Sequence, residues 1–245
     1  MHTASTIDTK SAVWRTTGDI PDNPATILDQ MSVDVANVLA YEMSIVTGKY
    51  AATPSDAMAT LVAMAKVADK RLTFWPDVVP KDWFPKRVSR DFAPESVASA
   101  GIYGDGYDVY SDVMVCSTWN FWRATRLRLL AVITRYEQDE EAVVSIQELA
   151  DAFCGTIPFV LGDRTAPTAM FATNVSYPTL KGKALSQGHH QTAAGLGGWY
   201  LHTPLNTVFD VGMYLREGQL PWLQDQGQRL ARIYDVRFED RGCTN

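Results

Sequence analysis

Apolar residues recur at every third or fourth position in six long stretches of the chain, which is the spacing of one face of an α-helix. Helices are predicted over 24–47, 54–75, 110–138, 145–158, 193–215 and 219–237. Asn23 and Thr53 precede prolines and are expected to cap the first two helices, and Ser145 with Glu148 forms a capping box for the fourth. Alternating runs of β-branched residues, typical of strands, are missing from the sequence. The pattern therefore predicts an all-α protein built as a single multi-helix bundle.

The third predicted helix has the strongest pattern, because neither glycine nor proline interrupts the chain between Tyr110 and Gln138. One apolar stripe along it consists of Val113, Cys116, Asn120, Ala124, Leu127 and Ala131. A second stripe consists of Val115, Trp119, Trp122, Arg126, Leu129 and Ile133. Two stripes indicate a central helix that is packed on several sides.

The segments outside the predicted helices differ in composition. Residues 76–109 hold several prolines and glycines and are predicted to form a connection with aromatic anchors. Residues 162–192 are rich in Thr, Ala, Gly, Pro and Ser and are predicted to form a long loop or insertion. The polar residues 1–21 are expected to form a flexible arm and 239–245 a tail, so that one helical domain covers 22–238.

Composition and charge narrow the classes of partner. The chain of 245 residues is 46% hydrophobic and carries a net charge of −6. A negative chain is a poor match for phosphates, so no direct DNA binding is expected. No run of about 18 apolar residues occurs, so the sequence predicts no membrane span. Cys116, Cys154 and Cys243 are odd in number and far apart, which excludes a disulfide framework and a four-thiolate zinc site within this chain and indicates a reducing compartment.

Several motifs suggest chemistry but fit a structural role better. His189 and His190 are adjacent and point in different directions, so an exposed loop pair is favoured over a metal site. Gly195, Gly197 and Gly198 precede helical spacing without the strand of a phosphate cradle, so close approach of another helix is favoured. These motifs give no reason to expect a metal or a cofactor.

Two groups of acidic residues also fit a structural role better than a metal-binding or catalytic one. Asp105, Asp108 and Asp112 resemble a calcium loop, but Cys116 stands where the closing Glu would be needed, so we expect them to favour the positive end of the third helix. The acidic cluster at 137–141 is interpreted as solvated helix-end charge rather than a diphosphate-binding motif. We therefore predict no catalytic residue.

The region around Trp119 carries the strongest candidate site. Asn120, Arg123 and Arg126 recur at one-turn spacing between tryptophans, and a buried arginine must be paired or must bind an anion. A structural network is favoured, with an acid on a neighbouring element as the partner: Asp69, Asp112 or Asp151. The alternative is a ligand pocket formed by Trp119, Asn120, Arg123, Arg126 and His202.

The same region carries a family resemblance. The string consists of Asp112, Trp119, Asn120, Arg123 and Arg126, preceded by Tyr110. It resembles the long helix in the C-terminal regulatory region of fungal zinc-binuclear-cluster transcription factors. Three further segments resemble that family in the same order: Ala68-Asp69 with Trp75, Val79-Pro80 and Trp83; Ile157 to Gly162; and Gly197 to Leu201 with Pro204-Leu205. Together the four motifs cover about residues 55–235.

The resemblance implies an all-helical regulatory domain that receives partner or effector signals and modulates transcription. The chain departs from the family in lacking the six-cysteine DNA-binding module and its basic residues. It is therefore expected to be either an excised regulatory domain or a stand-alone protein without a DNA-binding module. A second departure is His202-Thr203 before Pro204, where the family usually carries an aromatic or apolar pair.

Two hypotheses on function follow. The first is a transcription-regulator-like helical domain in the nucleus or cytoplasm that acts through protein partners or a small effector, with a homodimer as one arrangement. The alternative is an enzyme or accessory protein of a fungal secondary-metabolite pathway derived from this domain. If it is an enzyme, a tailoring or cyclising activity is expected.

Overall fold

The helical spacing of the sequence is realised as seven α-helices in a computed structural model, which describes residues 23–49, 54–169, 172, 174–180 and 186–235. The all-α class is confirmed. The helices are α1 (Pro24–Val46), α2 (Pro54–Leu72), α3 (Glu95–Gly101), α4 (Val113–Tyr136), α5 (Glu140–Leu161), α6 (Gln187–Asp210) and α7 (Gln219–Tyr234). The predicted arm, the tail, Thr53 and Cys243 lie outside the described residues.

The described residues divide into two compact units. The first unit contains the residues up to Pro80 together with Thr125–Ser145, and the second contains Lys81–Ala124 and the residues from Ile146 onward. The long helices α4 and α5 therefore contribute segments to both units. The burial of residues along both predicted stripes of α4 confirms that this helix is packed on several sides.

In the first unit, α1 packs against α2. The side chain of Asn23 accepts a hydrogen bond from the backbone N–H of Thr26 at 3.0 Å, which confirms the predicted cap of α1. The helix α2 ends at Leu72, three residues earlier than predicted, and a short 3₁₀ turn begins at Trp75. The buried Trp75 indole donates to the carbonyl oxygen of Pro24 at 2.7 Å and so ties this turn to the start of α1.

The second unit contains a small sheet that the sequence pattern did not predict. The strands β1 (Lys86–Ser89) and β2 (Gly106–Val109) pair antiparallel, with Lys86 opposite Val109. The prediction of no strands was wrong here, because four residues are too few to show an alternating pattern and β2 is buried throughout. The predicted connection 76–109 is thus a structured segment that includes this hairpin and α3.

The helix α5 differs from its prediction at both ends. It begins at Glu140, not at Ser145, because Asp139 accepts a hydrogen bond from the Ala142 N–H at 2.9 Å and caps the helix. It also continues through Gly155 and Pro158, which were expected to end it. A Cβ at Gly155 would lie 2.6 Å from a guanidinium nitrogen of Arg87, so this glycine provides space rather than a helix end.

The helix α6 begins earlier than predicted. Ser186 caps it by accepting from the His189 N–H at 3.2 Å, so residues 187–192 are helical rather than part of the predicted loop. The described residues between 163 and 180 contain no helix. At Gly197 and Gly198, an added Cβ would lie 2.5 Å from atoms of Tyr234 on α7, which confirms the predicted close approach of another helix.

Candidate functional site

The predicted structural network is present at Arg126, in the first unit. Its Nε and Nη2 atoms donate to the two carboxylate oxygens of Asp69 at 2.7 and 3.0 Å. The side chains are 13% and 14% exposed, so the pair is largely withdrawn from water. A bidentate pair of this kind neutralises the guanidinium and fixes its orientation.

The guanidinium of Arg123, in the second unit, has different partners. Arg123 is 3% exposed, and its Nη1 donates to Asn120 Oδ1 at 2.9 Å while its Nη2 donates to the Tyr110 hydroxyl at 3.0 Å. Both acceptors are neutral. Among the described residues, no carboxylate forms an ion pair with Arg123, and its Nε has no acceptor. The predicted acidic partner is therefore absent from the described residues around Arg123.

The remaining contacts of this cluster join α4 to α5. Asn120 is buried and donates through Nδ2 to the Thr156 hydroxyl at 3.1 Å. Thr156 in turn donates to the carbonyl oxygen of Phe153 at 2.7 Å. We call Tyr110, Asn120, Arg123 and Thr156 the Arg123 cluster; its side chains are buried and its neutral members accept and relay hydrogen bonds from a single positive charge.

Trp119 covers the Arg123 cluster on one side. Its ring centroid lies 5.6 Å from the Arg123 guanidinium carbon, within the range of a cation–π contact. Its indole N–H donates to the Trp83 carbonyl oxygen at 2.9 Å, and the Trp122 ring packs edge-on at 5.5 Å. The tryptophans that flank the motif therefore fill space beside Arg123 and hold its side chain in place.

The five predicted pocket residues are thus distributed over several places. Trp119, Asn120 and Arg123 lie together, and Arg126 is paired with Asp69. His202 lies on α6, with its Nε2 atom 3.3 Å from Asn206 Nδ2.

The other two candidate acids have separate partners. Asp112 accepts from the Val115 N–H at 2.8 Å at the start of α4, as expected for an acid at a helix N-terminus. Asp151 accepts from Arg216 Nε at 2.8 Å and from Gln219 Nε2 at 2.9 Å. Asp108 is also buried rather than helix-capping, and its carboxylate lies 3.4 Å from Arg87 Nη1.

Two further buried arginines escaped the sequence analysis. Arg164 donates to the carbonyl oxygens of Val160 at 2.7 Å and Leu161 at 3.1 Å, and Arg229 donates to that of Gly162 at 2.5 Å. Burial lowers the pKa of Arg229 to about 10. Both arginines satisfy carbonyl groups left open at the end of α5. The sequence could have suggested this role for Arg164, because a basic residue just after a helix end often binds the last carbonyl groups. Arg229 is distant in sequence from the end of α5, so no local pattern pointed to it.

The histidine pair corrects a prediction. His189 is 5% exposed in the first turn of α6, not part of an exposed loop. Its ring centroid lies 4.5 Å from that of Phe159 and 4.8 Å from that of Tyr177. Burial lowers the pKa of His189 to about 3, so the imidazole is neutral at physiological pH.

The buried thiols lack the features of nucleophiles. Burial raises the pKa of the Cys116 thiol, and it raises that of Cys154 to about 12. Within the described ranges, no three His, Cys, Asp or Glu side chains come together as a metal site. The helix α5 is long and apolar enough to cross a membrane by length and composition, but most of that stretch is buried, as in the core helix of many proteins.

Two apolar surface features lie on the long helices of the described residues. On α6, Trp199 is 74% exposed and Leu196, one turn earlier, is 46% exposed. We call these two residues the Trp199 face. In the first unit, α1 and α2 border a groove of about 480 Å³ lined mainly by Val38, Met64 and Val67.

Comparisons of the chain with protein-family models, with curated proteins and with solved structures found no match.

Proposed function

We propose that this chain is a transcription-regulator-like helical domain that acts through a protein partner or a small effector. The Trp199 face is the observation that carries the proposal. Tryptophan is enriched at the energetic centres of protein interfaces, and here it is 74% exposed beside an exposed leucine. A paired exposure of this kind indicates a surface that another protein covers.

The contacts among the resemblance motifs support the proposal. Motif residues contact one another or their neighbours at Asp69–Arg126, Trp83–Trp119, Tyr110–Phe159 and Gly197–Val160. The Arg123 cluster also links a motif residue, Asn120, to Thr156, which directly precedes the Ile157–Gly162 segment. Residues that hold helices together are the ones expected to persist in a shared helical scaffold, so the motifs fit a resemblance at the level of the fold.

A reporter assay tests the proposal. The full chain is fused to an unrelated DNA-binding domain, and transcription is measured together with capture of partners from fungal nuclear extract. We expect a change in reporter output that Trp199→Ala abolishes, because truncation of an interface anchor weakens binding by roughly 30-fold or more. Phe92→Ala is the matched control, because Phe92 is also 74% exposed but lies in the segment before α3.

Two results would contradict the proposal. One is a fusion that leaves transcription unchanged, or a Trp199→Ala variant that behaves like Phe92→Ala. The other is a gene deletion that stops one biosynthetic step while transcript levels stay normal, which would support the enzyme or accessory-protein alternative.

A further inference from the structure

The Arg123 cluster has more hydrogen-bond donors than acceptors. A guanidinium has five N–H groups and an amide side chain has two, whereas the hydroxyls of Tyr110 and Thr156 have one each. The recorded acceptors are Asn120 Oδ1, the two hydroxyl oxygens, the Phe153 carbonyl and the Cys116 sulfur. Among the described residues, the Arg123 Nε–H has no acceptor, and the Tyr110 hydroxyl, which accepts from Arg123, is not seen to donate.

The positive charge of the cluster favours the same kind of ligand as the excess of donors does, namely one that accepts hydrogen bonds. Arginine stays protonated in proteins, and a buried charge is costly unless it is paired. Asp108 is buried too, but among the described residues it forms no ion pair with Arg123, and its carboxylate lies 3.4 Å from Arg87 Nη1. The cluster is therefore positively charged, rich in donors and withdrawn from water.

We propose that the Arg123 cluster is a binding site for a small monovalent anion, a halide or a compact carboxylate. The anion accepts from Arg123 Nε and from the Tyr110 hydroxyl, which lies next to the guanidinium at 3.0 Å from Nη2. Charge neutralisation and hydrogen bonding to a buried guanidinium act together in such a site. This inference goes beyond the proposed function, because an anion bound to the fold does not depend on the Trp199 face.

The site also explains the composition of the cluster. A neutral acceptor such as Asn120 orients the guanidinium without cancelling its charge, whereas a carboxylate at that position would compete with a bound anion. Three residues farther along α4, the guanidinium of Arg126 is paired with the carboxylate of Asp69. Its charge is therefore already neutralised and does not attract an anion in the way that Arg123 does. The two arginines therefore provide a site and a matched control on one helix.

Thermal unfolding of the full chain tests the site. Melting temperatures are compared in sodium chloride, sodium acetate and sodium gluconate at equal ionic strength, because gluconate is too large for a buried site. With chloride or acetate several-fold above its Kd, we expect a rise in Tm of roughly 2–4 °C over gluconate. A rise in only one of the two salts supports the site and identifies the halide or the carboxylate as its ligand.

Variants assign the effect to the cluster. Tyr110→Phe should reduce the anion-dependent rise, and Arg123→Gln should abolish it if this variant folds. Arg126→Lys should retain it, because its partner Asp69 is unchanged. Equal melting temperatures in all three salts, or a rise that survives in Tyr110→Phe at full size, would overturn the proposal.

Discussion

Arg126 in the first unit and Arg123 in the second lie one turn apart on α4, but their guanidinium groups have different partners. Arg126 has a bidentate carboxylate, and other ion pairs of the first unit join Arg71 to Asp34 and Arg135 to Glu42. Three buried arginines of the second unit bind neutral atoms instead: Arg123, Arg164 and Arg229. The second unit also has ion pairs, at Arg87 with Asp108 and at Arg216 with Asp151, so the difference between the units concerns these three buried arginines, whose described partners are carbonyl, amide and hydroxyl oxygens.

This difference predicts different responses to mutation. A carboxylate pair loses its attraction when one charge is removed, but water can partly solvate what remains if the pair is near the surface. A buried charge with neutral partners has no such relief, because each lost acceptor leaves a donor unsatisfied. The second unit should therefore be more sensitive to the loss of Asn120, which has two buried partners, than the first unit is to the loss of the Asp69 charge.

The largest effect is expected from Asn120→Leu. The change leaves Arg123 Nη1 and the Thr156 hydroxyl without their buried partner and should reduce the free energy of unfolding by about 3 kcal/mol. Urea unfolding followed by circular dichroism gives this value. Asn37→Leu, at an exposed position on α1, is the control and should change stability by less than about 0.5 kcal/mol. Equal losses in the two variants would contradict the comparison.

A second effect concerns pH and His189. Its pKa is about 3 in the folded chain against an ordinary value of 6.5, so the unfolded chain binds more protons between these values. This contribution to stability is complete above pH 6.5 and falls as the pH decreases toward 3. The loss between pH 7 and pH 5 should be about 2 kcal/mol.

His189→Phe isolates this contribution. Its free energy of unfolding should depend less on pH than that of the unmodified chain over the same interval. His190→Phe should remove a smaller part, because His190 is only half-buried although its pKa is also lowered by burial. An unchanged pH slope in His189→Phe would show that this imidazole is not held in its neutral form.

The ion pair of the first unit gives a smaller expected effect. Asp69→Asn keeps the shape of the carboxylate and one acceptor but removes its charge, so stability should fall by about 1.5 kcal/mol. Because the side chains are only 13% and 14% exposed, added salt should change the difference between this variant and the unmodified chain only slightly. A loss larger than that of Asn120→Leu in the same urea titration would reverse the ranking of the two regions.

Tyr110→Phe is expected to have the smallest effect on stability. The variant keeps the ring that packs against Phe159 with centroids 5.6 Å apart and removes only the hydroxyl that accepts from Arg123. A loss of about 1 kcal/mol follows from one hydrogen bond, measured by the same titration in sodium gluconate, where no anion stabilises the cluster. No loss would mean that the hydroxyl is dispensable to the Arg123 cluster.

The sequence allowed the helical class and much of each long helix to be predicted, because Asn23 and the uninterrupted apolar stripes of α4 act locally. The start of α5 was missed, since the capping Asp139 had been interpreted as part of a solvated acidic cluster. The buried position of His189 was missed as well, because it depends on Phe159 and Tyr177, which belong to other segments.

The candidate site was predictable only in part. One-turn spacing identified Asn120, Arg123 and Arg126 as a set, and Asp69 was among the acids expected to pair with them. No local rule distinguishes an arginine that has a carboxylate from one that has a hydroxyl and an amide. That distinction depends on Tyr110, which the fold brings to Arg123, and on Thr156, which it brings to Asn120.

Anomalous diffraction from crystals grown in sodium bromide tests the central claim most directly. The account predicts an anomalous peak in contact with Arg123 Nε and the Tyr110 hydroxyl, and none at the Arg126–Asp69 pair. The account would be contradicted by a cluster that shows neither this peak nor, in crystals grown in sodium acetate, a bound acetate, or by a protein carboxylate in contact with Arg123.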